Sequence, residues 1–254
     1  MKYFFTQFIW LLATGLLLAQ GPPITTETPV MLGLEGNGIR TFGKFISREE
    51  VKVYVQPIGI PYNVTSKFQI GGILPFKVVS PKEGESIAGL ADVAVFAKYQ
   101  LYKKDGTAKT FRVLANFKQS FPTAKEALAP VDIYQTYIGM TIGQVSSSIG
   151  IYGDFGYTRR NSPAADNFTY NFSVGIPLLP HQYPQKQINA YLGFNGSYYF
   201  DAQTHEIFIT PGLQFIPGRR ILFETSFFYP VLQQNISFNQ TNYMFLLGTR
   251  FLLN

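Results

Sequence analysis

Apolar and polar residues alternate along most of the chain. Val93, Val95, Ala97, Tyr99 and Leu101 fall on one side of an extended chain, and Asp92, Ala94, Phe96, Lys98, Gln100 and Tyr102 fall on the other. Successive side chains of a β-strand point to opposite faces, so this stretch has one apolar face and one mixed, partly charged face. Lys103-Lys104-Asp105-Gly106 ends it with an Asp-Gly reversal signal. The pattern then resumes, with Phe111, Val113, Ala115 and Phe117 opposite Arg112, Leu114, Asn116 and Lys118. Comparable runs cover 37–46, 49–60, 67–79, 93–103, 109–121, 132–144, 147–158, 168–178, 187–199, 206–215, 220–232 and 242–252. Their lengths suit the roughly 9–11 residues of a tilted membrane-crossing strand better than the about 5–6 of an average soluble one.

The connections alternate too. After odd-numbered runs they are mostly long, at 80–92, 122–131, 159–167 and 233–241; after even-numbered runs they are mostly short, at 104–108, 145–146 and 216–219. The short 47–48 and the longer 179–186 depart from this. Outer-membrane barrels place short turns on the periplasmic side and long loops outside, whereas a soluble sandwich has no reason to alternate. The expected fold is all-β: a transmembrane up-and-down antiparallel β-barrel of about 12 strands over residues 37–254. Tyr and Phe near run ends fit the two aromatic girdles of such a barrel. Pro57, Pro75, Pro177, Pro211 and Pro230 fall within runs and must then sit at bulges or strand ends.

Composition agrees. Charged residues make up 14% of the 254 residues, against about 25% in an average soluble domain. Aromatics reach 16%, and mean hydropathy is +0.06, which excludes a bundle of apolar helices. There is no cysteine, so disulfide scaffolds and Cys-ligated metal sites are excluded. The formal charge of +6 is scattered rather than clustered, which disfavours nucleic acid as a partner. Residues 1–19 read as a signal peptide: Lys2, an apolar run from Phe8 to Leu18, and a small residue at Ala19. Residues 20–36, with Pro22, Pro23 and Pro29, form an irregular N-terminal lead-in.

Gly89-Leu-Ala-Asp92 followed by Lys98-Tyr99 resembles the Gly-x-Gly-Asp…Lys-Tyr signature of the outer-membrane family labelled for the MetA pathway of phenol degradation, with Ala91 in place of the second Gly. The closing runs, Ile209-Thr-Pro-Gly-Leu-Gln-Phe215, 221–231 and Tyr243-Met-Phe-Leu-Leu-Gly-Thr-Arg-Phe251, are similar to that family's last three strands. The resemblance implies a barrel of about a dozen strands that passes small, often hydrophobic compounds across the outer membrane, and it supplies no catalytic residues. Such barrels usually end on an aromatic that the barrel-assembly machinery reads. Here Phe251 is followed by Leu252, Leu253 and Asn254.

Little chemistry competes with a channel. His181 and His205 fall in predicted turns, and no nucleophile, metal or phosphate-loop motif is present. No catalytic, cofactor-binding or metal-binding residue is expected. Six Asn-x-Ser/Thr sequons, at Asn63, Asn167, Asn171, Asn195, Asn235 and Asn239, read as ordinary strand-end and loop residues of a bacterial protein. A cation facing lipid near the midplane costs ~2–4 kcal/mol, so charges in mid-strand must face inward. The candidate lumen-lining residues are Asp92, Lys98, Gln100, Arg112, Lys118 and Glu224, with Lys98 or Asp92 expected to pair with Arg112 or Lys118 across strands. The function expected is passive passage of small solutes, hydrophobic or aromatic ones among them. Two alternatives are a plugged structural or partner-binding barrel and a barrel-borne lipid-modifying enzyme. Outer-membrane lipid, the assembly machinery and a small-molecule solute are the expected partners.

Overall fold

The computed structural model describes residues 23–31, 37–128, 133–161, 166–180, 186–218, 220–236 and 240–253. The predicted signal peptide, His181, Asn239 and most of the 179–186 connection lie outside them. Thirteen strands are described: β1 (Gly38–Arg48), β2 (Val51–Asn63), β3 (Phe68–Pro81), β4 (Ile87–Leu90), β5 (Ala94–Gly106), β6 (Lys109–Ser120), β7 (Gln135–Ser146), β8 (Gly150–Arg160), β9 (Asn167–Pro177), β10 (Gln187–Tyr199), β11 (Thr204–Ile216), β12 (Ile221–Gln234) and β13 (Thr241–Leu252). The short β4 aside, each strand pairs antiparallel with the next, and β1 pairs with both β2 and β13, so the sheet closes on itself.

The barrel has twelve staves, because β4 and β5 share one. β3 pairs with β5 through Phe68–Ile73 and with β4 through Phe76–Val79, leaving Ala91, Asp92 and Val93 as a break between them. The connection expected at 80–92 is therefore a turn followed by a short strand, and β5 starts at Ala94 rather than at 93. Pro75 explains the break: it has no N–H for the ladder, and its carbonyl instead accepts Ala91 N at 2.8 Å. The other strand prolines also fall where pairing is interrupted. Pro177 ends β9, and Pro230 flanks the bulge at Val231. Pro57 and Pro211 lie where the ladder to one neighbour skips residues.

The two faces are inverted relative to a soluble protein. Val95, Tyr99, Leu101, Phe117, Ile138, Phe172, Leu192, Phe194, Leu213 and Leu247 are exposed, whereas Gln100, Asn116, Thr141, Ser173, Asn189, Asn195, Thr210, Gln214, Glu224 and Ser226 are buried. They alternate along the same strands, so the apolar set covers the outside and the polar set faces the lumen. Within β5 the expected alternation fails at one position. Tyr102 sits outside with Leu101, because a bulge between Gln100 and Tyr102 inserts an extra residue and reverses the alternation.

An arginine at Val95, 45% exposed on the outer face, should destabilise the barrel by ~2–4 kcal/mol. The same change at Ser197, paired with Glu206 on the inner face, should be tolerated. Heat-modifiable gel migration of the two variants distinguishes them.

Candidate functional site: the barrel interior

The inner face carries polar side chains that bond across strands. Arg250 forks onto Glu224, Nε to Oε1 at 2.6 Å and Nη2 to Oε2 at 2.8 Å. Gln214 Nε2 donates to Glu224 Oε2 at 3.2 Å, and Gln214 Oε1 accepts from Asn189 and Tyr191. A second chain runs Thr210–Asn195–Asn171–Asp154. On the opposite wall Arg112 donates to Gln100 Oε1 at 2.9 Å and to Asp105 Oδ1 at 3.3 Å, and Asn116 donates to Thr141 at 2.6 Å. Bonding of this kind is what polar groups removed from bulk water require.

The lead-in crosses this lumen. Residues 23–31 form no strand, yet Ile24, Thr26, Pro29 and Met31 are buried. Contacts come from around the wall. Asn195 Nδ2 donates to Thr25 O at 2.9 Å, Arg40 to Ile24 O at 3.4 Å, and Arg250 to Thr28 Oγ1 at 3.3 Å. Glu27 N donates to Asp154 Oδ2 at 3.0 Å, and Lys98 Nζ donates to Glu27 Oε2 at 2.6 Å. Pro29 occupies the space a side chain at Gly143 would take, and Ile24 lies against Gly248. Glu27 belongs to the lead-in rather than to a spanning strand. The Lys98 charge, with help from Arg40, holds its carboxyl lowered to about 2. The Glu27 carboxyl therefore stays charged at any growth pH.

The predicted lumen residues separate into groups. Gln100 and Arg112 meet each other, Lys98 meets Glu27, and Glu224 meets Arg250. Lys118 faces inward and stays exposed, its Nζ 5.5 Å from the Tyr137 ring centroid. That ring lies over Gly139 and Gly156, where any Cβ would collide with it. Asp92 does something else. Its Oδ1 accepts Thr123 N at 3.2 Å and Ala124 N at 3.1 Å, so it fastens the 121–128 segment to the stave break rather than pairing with Arg112 or Lys118. Sequence reasoning missed Arg40, Lys44, Asp154, Asn195 and Arg250. The alternation Arg40-Phe42-Lys44-Ile46 marks the first two as inward, but nothing local in the lead-in shows that it enters the barrel.

The chain is similar to the COG4313 outer membrane channel from Pseudomonas putida F1, with a TM-score of 0.66 and 10% identity over 92% of this chain and 100% of that one. The fold is that of outer-membrane barrels. It is also similar to the β domain of the Bordetella autotransporter BrkA, with a TM-score of 0.50 and 13% identity over 85% of this chain and 98% of that one. No family model and no curated protein matches the sequence.

Replacing Arg250 with Met strands the 3%-exposed Glu224 carboxylate and should cost ~3–5 kcal/mol. Adding Glu224→Gln should restore most of that loss. Urea midpoints of the two variants in lipid vesicles check this.

Proposed function

We propose that the chain is a passive channel in the outer membrane of a Gram-negative bacterium, serving small solutes, hydrophobic and aromatic ones among them. The observation that carries this is space beside the lead-in. Lys118 is exposed although it faces inward, and the Glu27 side chain, 45% exposed, is far more open than its partner Lys98 at 11%. Fixed charges in an open lumen set what passes, as in other barrel pores. The similar Pseudomonas putida protein is described as a channel, which supports the same reading here. Membership of the phenol-degradation family, proposed from the 89–99 motif and the closing strands, adds small aromatic compounds to the solutes.

The reading includes no catalytic step. His205 sits on the outer face, its Nε2 2.8 Å from the Tyr170 hydroxyl, where it serves the aromatic rim. A plugged barrel is the second reading, because residues 23–31 cross the lumen. Conductance separates the two. The reconstituted protein should give small discrete steps in planar bilayers. Lys98→Met, which removes the ion pair to Glu27, should enlarge them or raise their open fraction. A silent protein, in wild type and variant alike, overturns the channel reading in favour of the plugged barrel.

A further inference from the structure

We propose that Lys44 makes the lumen above the lead-in a receptor for a small apolar monoanion, a molecule with one carboxylate on an aromatic or short aliphatic body. The inference rests on the channel reading and deepens it by naming the solute class selected.

Lys44 is an inward cation in apolar surroundings. On its own strand its inward neighbours are Phe42 and Ile46, and across the ladders it faces Val55 of β2 and Leu246 of β13. Its Nζ lies 5.9 Å from the Phe228 ring centroid. Phe228 packs edge-on against Phe208 at 6.1 Å, in a buried cluster with Met244 and Leu246 that Ile24 of the lead-in completes.

The other inward cations are accounted for otherwise: Arg40 donates to Ile24 O, and Lys118 is exposed beside the Tyr137 ring. Lys98, Arg112 and Arg250 each hold a carboxylate of this chain. Lys44 forms no such ion pair among the described residues. The charges that act on it are Arg48, nearer the rim on the same strand, and Glu206. Arg48 Nε is itself buried with no hydrogen-bond partner among the described residues. Among the described residues, two cations thus face one carboxylate, which leaves one positive charge beside apolar side chains.

An ammonium held among apolar groups is costly unless something pairs with it. An unpaired charge in a membrane protein's interior marks a solute path. A monoanion supplies the missing charge to Lys44 and Arg48 while its body lies on Phe42 and Ile46, the half-buried apolar side chains that flank Lys44 and pack on that cluster. A neutral apolar solute would leave the charge uncovered, and a dianion would meet Glu206.

The test is equilibrium binding to the detergent-solubilised full chain, using benzoate and its neutral counterpart benzamide. Benzoate should bind about tenfold more tightly, the scale of a charge-assisted hydrogen bond. Lys44→Met should remove that preference without changing benzamide binding, and Lys44→Arg should keep it. Heat-modifiable migration confirms assembly, and Lys44→Gln replaces the Met variant if that one fails to assemble. Equal binding of the two probes, or a preference that survives loss of the charge, overturns the proposal. Conductance is scored separately. A conducting protein that binds both probes equally refutes the anion receptor alone, and a silent protein that prefers benzoate through Lys44 refutes the channel alone.

Discussion

Closure of the hydrogen-bond ladder is the constraint on which everything else depends. In the hydrocarbon of a bilayer no water is available to an open sheet edge, so a strand protein crosses only if its first and last strands meet. Here β1 joins β13 over nearly its whole length, from Gly38 opposite Leu252 to Arg48 opposite Thr241. Once the sheet is closed, every strand has an inside and an outside. The period-2 alternation then assigns each side chain to lipid or lumen. Local defects must be absorbed without opening an edge. The Pro75 break is covered by β4 and by the bonds Asp92 makes to the 121–128 segment, and the Leu101 bulge merely shifts which residues face out.

Closure also encloses a volume that a ring of twelve strands does not fill with its own side chains alone. The lead-in occupies part of it. Ile24 packs into the aromatic cluster on one wall, Glu27 meets Lys98 and Asp154 on the other, and Thr25 and Thr28 are held by Asn195 and Arg250. The interior is thus neither an oil core nor an empty tube. It is a polar lining with fixed charges, an apolar aromatic patch, and an irregular segment held by side-chain contacts rather than by a ladder. Contacts of that kind are individually weak and can exchange, which suits the channel proposed above.

Much of this is legible in the sequence, for definite reasons. Alternation shows because it has the shortest possible period, so Val95, Tyr99, Lys98 and Gln100 can be assigned to faces from the 92–102 stretch alone. The stave count follows from the spacing of runs. What stays hidden depends on events outside the local pattern. The Leu101 bulge reverses Tyr102 because of the register against β6, not because of Tyr102 itself. β4 looks like a loop because four residues are too few to show a period. Asp92 reads as the first polar residue of a strand, but Pro75 on the neighbouring strand stops the pairing short of it. The inward path of residues 23–31 is out of reach, since a Pro- and Thr-rich stretch looks the same in a barrel as outside one.

The most direct test of the account places one cysteine in the lead-in and one in the wall. The chain has no cysteine of its own, so a Thr25→Cys, Asn195→Cys pair reports without background. In outer membranes from cells expressing the folded barrel, a short bismaleimide should join the two positions within one chain and change its heat-modifiable migration. A barrel that folds normally and shows no link between residues 25 and 195 would contradict a lumen crossed by the lead-in.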